Sequence, residues 1–316
     1  MEFSELLGIL PQQVAYGVTL GSIYALLALG FTMVYGIMEM INFEHGEVFM
    51  VGSFLGWGLF VQVLQRQLLP IHAAVLLPIM LLVAMIGCAL LAMAMERLAY
   101  RPLRKAQRLA PLITAVGVSI FLQNAVLLFQ LWFMQGPRTR VYETRRIFPY
   151  TANIEVGGVS MTYLALTIIA VSIILMLILE WFINRTKLGK AMRATAQDSE
   201  MASILGVSVN ATISLTFLVG GALAGAGGVL VGLYYTQIDL YMGFYAGLKA
   251  FAAAVLGGIG NIRGAMLGGY FLGIAEALSI TFLNPAYKDL VAFVILILVL
   301  LFRPGGLLGE SVPEKV

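Results

Sequence analysis

The sequence has 316 residues, 60% of them hydrophobic and only 11% charged, with a net charge of +3. Soluble domains carry roughly 25% charged residues, and the mean hydropathy of +0.94 agrees that this chain is not soluble alone. A lone cysteine, Cys88, excludes an internal disulfide, and two distant histidines, His45 and His72, without a Cys/His cluster argue against a metal site.

The N-terminal residues up to Pro11 carry Glu2 and Glu5 and no basic residue, unlike the positive start of a cleaved signal peptide. The first apolar run therefore reads as a retained span. A spanning helix needs about 20 apolar residues, and that ruler predicts helices over 12–36, 46–64, 71–96, 110–134, 160–183, 208–234, 244–260, 264–283 and 287–302. The seventh and ninth are short enough to be partial or re-entrant. The expected fold class is all-α: one polytopic transmembrane bundle over 1–316, with 8–9 spanning or partial helices. Helices satisfy their own backbone groups in lipid, and the alternating pattern of a membrane barrel is absent.

Polar residues interrupt these runs at a few places. The break Asn42–Glu47 sets an Asn, two Glu and a His between the first two spans. It reads either as a tight turn with a solvated rim or as part of a substrate route, because polar groups at membrane depth are costly and often functional. Asn42 and His45 are the route candidates there. Gln123 and Asn124, inside the fourth span, are further candidates, against a role in interhelical hydrogen bonding. Lys249, about a turn inside its span, reads as a snorkelling side chain. Glycines cluster at 220–232 and 257–273, where small residues let helices approach closely. A weak internal echo relates Gly52–Gly56 to Gly269–Gly273.

Orientation follows from the basic residues. Loop 97–109 carries Arg97, Arg101, Arg104, Lys105 and Arg108; loop 184–207 carries Arg185, Lys187, Lys190 and Arg193. Two spans separate these loops, so they share a side. Their nine cations outnumber the four (Arg138, Arg140, Arg145, Arg146) of the competing loop 135–159. The positive-inside rule then makes 97–109 and 184–207 cytoplasmic. The N-terminus is expected outside and the C-terminus in the cytoplasm.

The segment 188–207 is long and of mixed polarity. Read as one helix from Lys190 to Leu205, it aligns Ala194, Met201 and Leu205, with Ala191 and Ala202, at spacings near 3.6, and turns Arg193, Gln197, Asp198 and Glu200 elsewhere. Such a helix suits docking into a groove on another protein. A helix lying on lipid is the alternative, but the acidic pair Asp198/Glu200 suits anionic lipid poorly. Gly206 is placed to end the helix. No G-x-x-x-x-G-K-[ST], H-E-x-x-H or G-x-S-x-G occurs, so the sequence offers neither a nucleotide-binding loop nor a hydrolytic site.

Arg193–Val207 resembles the cytoplasmic coupling segment of ABC importer permeases, and most of all that of the branched-chain amino-acid (Liv-type) permease family. Leu20–Leu26 with Ile41–Glu47 resembles that family's first hairpin, Ala254–Asn261 its late glycine-rich motif, and Leu301–Gly309 its ending. The family pattern often has a small residue at position 44, where this chain has Glu44. The resemblance implies a transport subunit without an ATPase site or cofactor, in a bacterial or archaeal cytoplasmic (inner) membrane. It implies as partners a second permease subunit, two cytoplasmic ABC ATPases, a periplasmic or extracellular substrate-binding protein and membrane lipid, with no nucleic acid. It also assigns ATPase coupling to Arg193, Ala194, Asp198, Glu200, Met201, Ala202, Leu205 and Gly206. The alternatives are a permease for urea or short amides and an ion-coupled secondary transporter; Glu180 and Glu276 are the best buried carboxylates for the latter.

Overall fold

Each apolar run of the sequence becomes a helix. A computed structural model describes residues 3–316 except 41, 66–72, 105, 108, 135–138, 145–146, 149–152, 157, 304 and 310–316. Ile41, His72, Lys105, Arg108, Arg138, Arg145, Arg146 and Pro304 therefore lie outside the described residues. The long helices are α1 (Phe3–Met38), α2 (His45–Phe60), α3 (Ala73–Met95), α4 (Leu109–Phe129) and α5 (Tyr163–Arg185). Two short helices follow, α6 (Lys187–Gln197) and α7 (Ser199–Ile204), and then α8 (Val209–Tyr235), α9 (Met242–Gly257), α10 (Ile262–Phe282) and α11 (Lys288–Phe302). Seven described helices are long and apolar enough to cross a membrane. α9 and α11 have 16 and 15 residues, or about 24 and 22 Å at 1.5 Å per residue, against about 30 Å of hydrocarbon. The two runs expected to be partial are thus the two short helices.

α1 is almost wholly enclosed and forms the axis of the bundle, whereas α4 is mostly exposed at the periphery. What seats α1 is a pair of glycines at i and i+4 on each of two helices. Gly17 and Gly21 of α1 face Gly269 and Gly273 of α10, so closely that a Cβ on Gly273 would lie 2.3 Å from the Gly21 nitrogen. α8 also packs through glycines: a Cβ on Gly228 would meet the Phe49 carbonyl of α2 at 2.2 Å, and one on Gly225 the Ala84 carbonyl of α3 at 2.4 Å. In lipid there is little hydrophobic force between helices, so close van der Waals contact of this kind holds them together.

The connections sort into two ends, as the loop alternation requires. At one end lie the turn after α1, the chain around Arg104, α6 and α7, the α9–α10 turn and the tail 305–309. Arg104 Nη1 bonds Asn210 Oδ1 at 2.7 Å, and the tail is pinned to the α9–α10 turn by Leu307 N to Leu256 O (2.8 Å) and Asn261 Nδ2 to Leu308 O (2.8 Å). Two motifs far apart in sequence, Ala254–Asn261 and Leu301–Gly309, are therefore one structural unit. At the other end, among the described residues, four short strands appear that the sequence did not suggest. β1 (Arg140–Val141) pairs with β4 (Gln237–Ile238), and β2 (Asn153–Val156) forms a hairpin with β3 (Val159–Thr162). Ser160 of β3 exchanges two hydrogen bonds with Gln12, at 2.8 and 2.9 Å. Arg140 is buried, with its guanidinium 5.2 Å from the Trp57 ring. One of the four cations that opposed the orientation is thus part of the fold rather than of a free loop.

The α1–α10 contact leaves no room for a side chain. Gly273→Leu is expected to destabilise the bundle by at least about 1–3 kcal/mol, the usual range for overpacking. Gly117→Ala, where a Cβ meets nothing within 4 Å, should be neutral or stabilising. Thermal melts of the detergent-solubilised proteins check this, and equal stability of the two variants would contradict the contact.

Candidate functional site

The break between α1 and α2 is not a solvated turn. Asn42, Glu44, His45 and Glu47 are all buried, because the turn is folded inward between α1, α3 and α4; some of its polar groups find partners there, while Glu44 Oε1, His45 Nε2 and Glu47 Oε2 accept or donate no hydrogen bond among the described residues. The chain leaves α1 through Glu39 in the left-handed conformation (φ 51°) and turns back through His45 N to Asn42 O and Val48 N to Glu44 O bonds of 3.2 and 3.0 Å. Tyr100, on the π turn Glu96–Tyr100 that ends α3, reaches Asn42 Oδ1 at 3.2 Å and makes a short hydrogen bond to Glu44. Burial pushes the Glu44 carboxyl up to about 8, against the lowering effect of its bonds to Tyr100 and Asn42. Glu47 Oε1 accepts from Gln123 Nε2 (2.7 Å) and Ser119 Oγ (3.1 Å) of α4. His45 packs edge-on against Phe31 at 5.0 Å and fills the space left by Gly30, where a Cβ would lie 2.1 Å from its Nε2.

Of the four route candidates, three lie at this turn: Asn42 bonds Tyr100, half-buried Gln123 bonds Glu47, and His45 packs on Phe31. Asn124 does not join them; it faces outward from α4 and bonds the Ile120 carbonyl of its own helix at 2.8 Å. Tyr100 and Ser119 are partners that sequence reasoning missed, since neither stands near the break in the chain.

The segment 188–207 differs from the single helix expected. It is two helices, α6 and α7, broken at Asp198. The reason is a cap: extended Asp198 (φ −157°) accepts from the backbone nitrogens of Glu200 (3.0 Å) and Met201 (2.9 Å) and starts a new helix. α6 is bound to the bundle. Thr186 ends α5 and caps α6, accepting from Gly189 N at 3.0 Å. Met192 and Thr195 are buried, and Arg193 Nη1 donates to the Ile183 carbonyl (2.5 Å) and Asn184 Oδ1 (3.1 Å). Arg193 and Asp198 are therefore engaged within the chain, while Ala194 is half-buried.

α7 presents a different surface. Ala202 packs inward, and Met201, Ile204 and Leu205 stand exposed on a stub beside exposed Glu200. Gly206 ends α7 at φ 87°, with Val207 N bonded to Ala202 O (2.9 Å) and Gly206 N to Ser203 O (3.0 Å), the hydrogen-bonded geometry of a glycine-terminated helix. Ile204 was missed, although it lies three residues from Met201.

Lys249 does not snorkel. It is buried, because its ammonium has partners inside: Glu276 Oε1 at 2.8 Å, Asp289 Oδ1 at 2.6 Å and the Tyr24 hydroxyl at 3.3 Å. Tyr24 also donates to Glu276 Oε2 at 2.8 Å. Both oxygens of Glu276 are thereby engaged. Glu180 pairs instead with Arg263 near the surface.

The family described as "Branched-chain amino acid transport system / permease component" matches residues 13–300. The chain is 46% identical over 310 residues to the high-affinity branched-chain amino acid transport system permease protein BraD of Pseudomonas aeruginosa, covering 96% of this chain and 97% of that one. It is also 46% identical over 313 residues to LivH of Escherichia coli strain K12, of the same description, covering 96% and 97%. An archaeal relative, the probable permease LivH of Methanocaldococcus jannaschii, is 28% identical over 299 residues, covering 91% and 89%. No solved structure matches.

The buried turn predicts a pH effect. The folded chain holds Glu44 protonated up to about 8, against an ordinary value of 4.5, so this group favours the folded state progressively less as pH rises from 4.5 to 8. Across that window the melting temperature of the unaltered chain should fall more steeply than that of Glu44→Gln, and parallel curves would contradict the assignment. Tyr100→Phe should cost about 1–3 kcal/mol at neutral pH, the penalty of orphaned buried acceptors.

Proposed function

The chain belongs to the permease-component family of branched-chain amino-acid transport systems, and from that premise we propose that it forms part of the translocation pathway of an ABC importer for leucine, isoleucine and valine. The observation that carries this reading is similarity along nearly the whole chain to two high-affinity branched-chain permeases. The chain itself is a transport subunit and not an ATPase. The ion-coupled alternative loses its best candidates, since Glu276 is locked by Lys249 and Tyr24, and Glu180 by Arg263.

In this reading hydrolysis occurs on separate ATPase subunits, and α6–α7 passes their movement to the bundle. Met201, Ile204 and Leu205 would enter a groove on the ATPase, each buried Met, Ile or Leu contributing about 1.5–3 kcal/mol, and Glu200 would set the register. Clamped α6 would carry the force to α5, α1 and α8, the helices it packs against. The end bearing α6–α7 faces the cytoplasm, following the nine-to-four excess of basic residues. The opposite end, with β1–β4, faces outward, where a binding protein would deliver substrate. A second permease, identical or homologous, completes the pathway.

Two experiments test this reading. Met201→Asp should insert normally, fail to retain the ATPase subunits on purification and lose uptake of labelled leucine; a variant that retains the ATPases and transports normally would contradict the docking role. In a Cys88→Ala background, cysteines at Gln107 and Ser199 should be protected from an impermeant thiol reagent applied outside intact cells. Labelling at either position would reverse the orientation.

A further inference from the structure

The two short apolar helices, α9 and α11, both begin at one cavity. It has a volume of about 330 Å³ and opens at the end of the bundle that carries β1–β4. Its wall changes character along its length. Ile23 and Leu27 of α1, Phe49 of α2 and Val231 of α8 supply an apolar portion. Lys249, Lys288, Asp239 and Asp289 supply charges of both signs. The volume suits a small molecule, since ligand sites run from about 300 Å³ upward and combine apolar walls with a few placed polar groups.

The charges are unevenly matched. Lys249 alone serves two carboxylates, Glu276 and Asp289, so that trio carries one uncompensated negative charge. Glu276 is 1% exposed and enclosed behind Lys249, whereas Asp289 is 40% exposed and lines the cavity. Lys288, the neighbour of Asp289, lines it too, with its nitrogen 6.0 Å from the Tyr235 ring. At the start of α9 Asp239 accepts from Tyr241 N at 2.7 Å, so a carboxylate already meets the positive end of that helix. A part-exposed carboxylate on the cavity wall attracts a cation, and the lysine beside it attracts an anion.

We propose that this cavity is a binding site for the zwitterion of an aliphatic α-amino acid within the permease itself. The ammonium lies at Asp289 and Asp239, the carboxylate at Lys288, and the branched side chain against Ile23, Leu27, Phe49 and Val231. The proposal rests on the importer reading for the identity of the side chain. It adds that this subunit recognises both charged groups of the substrate rather than offering an inert passage. The site demands both charges at once: an amino alcohol lacks the partner for Lys288, and a carboxylic acid lacks the partner for Asp289.

The test uses the assembled transporter in nanodiscs, where both faces are accessible. Ala246 of α9 lines the cavity and is half-buried; in a Cys88→Ala background, Ala246→Cys is reacted with a water-soluble thiol reagent. Saturating L-leucine is expected to slow the reaction by about tenfold, and leucinol or isovalerate at equal concentration by less than about twofold, as loss of one charged contact implies. Adding Asp289→Asn should abolish most of the leucine protection. Met242→Cys, at another point of the wall, guards against a local fault of the first probe and should behave alike. The site is overturned if leucine gives no protection at either position, if leucinol or isovalerate protects as well as leucine, or if Asp289→Asn leaves protection unchanged. Uptake of labelled leucine by the unaltered complex is measured in parallel. Uptake without protection overturns this site and leaves the importer reading standing, whereas absence of uptake overturns the importer reading itself.

Discussion

The structure depends on backbones touching. Gly17 and Gly21 of α1 lie against Gly269 and Gly273 of α10 with no side chain between them, and this contact puts α1 at the axis of the bundle. Polar geometry follows from that position. With α1 and α10 in contact, the Tyr24 hydroxyl reaches Glu276 at 2.8 Å, and Lys249 can be buried between them at 2.8 Å from Glu276. With Gly30 lacking a side chain, His45 fits beneath α1. A bundle held apart by even one methyl group here would leave these polar groups without partners in a low-dielectric interior, at a cost of several kcal/mol for each unpaired charge.

In the proposed coupling role, the same close packing would let a push at one end be felt within. α7 projects Met201, Ile204 and Leu205 into solvent, but α6 beside it is held by buried Met192 and Thr195 and by Arg193 on the Ile183 carbonyl and Asn184 side chain of α5. A stub with free apolar tips on a clamped base transmits displacement better than a loop does, because closely packed interfaces shift as units rather than deform. The break at Asp198 adds a defined joint between tip and base.

The spans were readable because each needs a long apolar run, and runs such as 208–234 have no other explanation in so hydrophobic a chain. Their ends were less so: α1 reaches back to Phe3 where the pattern suggested 12, since polar residues at a helix start do not break it. The strands β1–β4 are two to four residues long, too short for a period to register. Asp198 carried a cap signal that the helical spacing around it masked. The buried turn was half legible: Asn42 and His45 stood out as polar residues between spans, but Tyr100 became visible only when α3 brought it back, 56 residues from Glu44. Lys249, Glu276 and Asp289 belong to α9, α10 and α11, and nothing local in the sequence pairs them.

We propose that this permease moves its substrate with energy from nucleotide hydrolysis on a partner chain. The direct measurement is accumulation of labelled leucine by proteoliposomes containing the complete transporter and its binding protein, with ionophores present to collapse proton and sodium gradients. The account predicts accumulation against a gradient that requires ATP on the side of α6–α7 and is indifferent to the ionophores. Accumulation that proceeds without ATP and vanishes when the ion gradients are collapsed would contradict it.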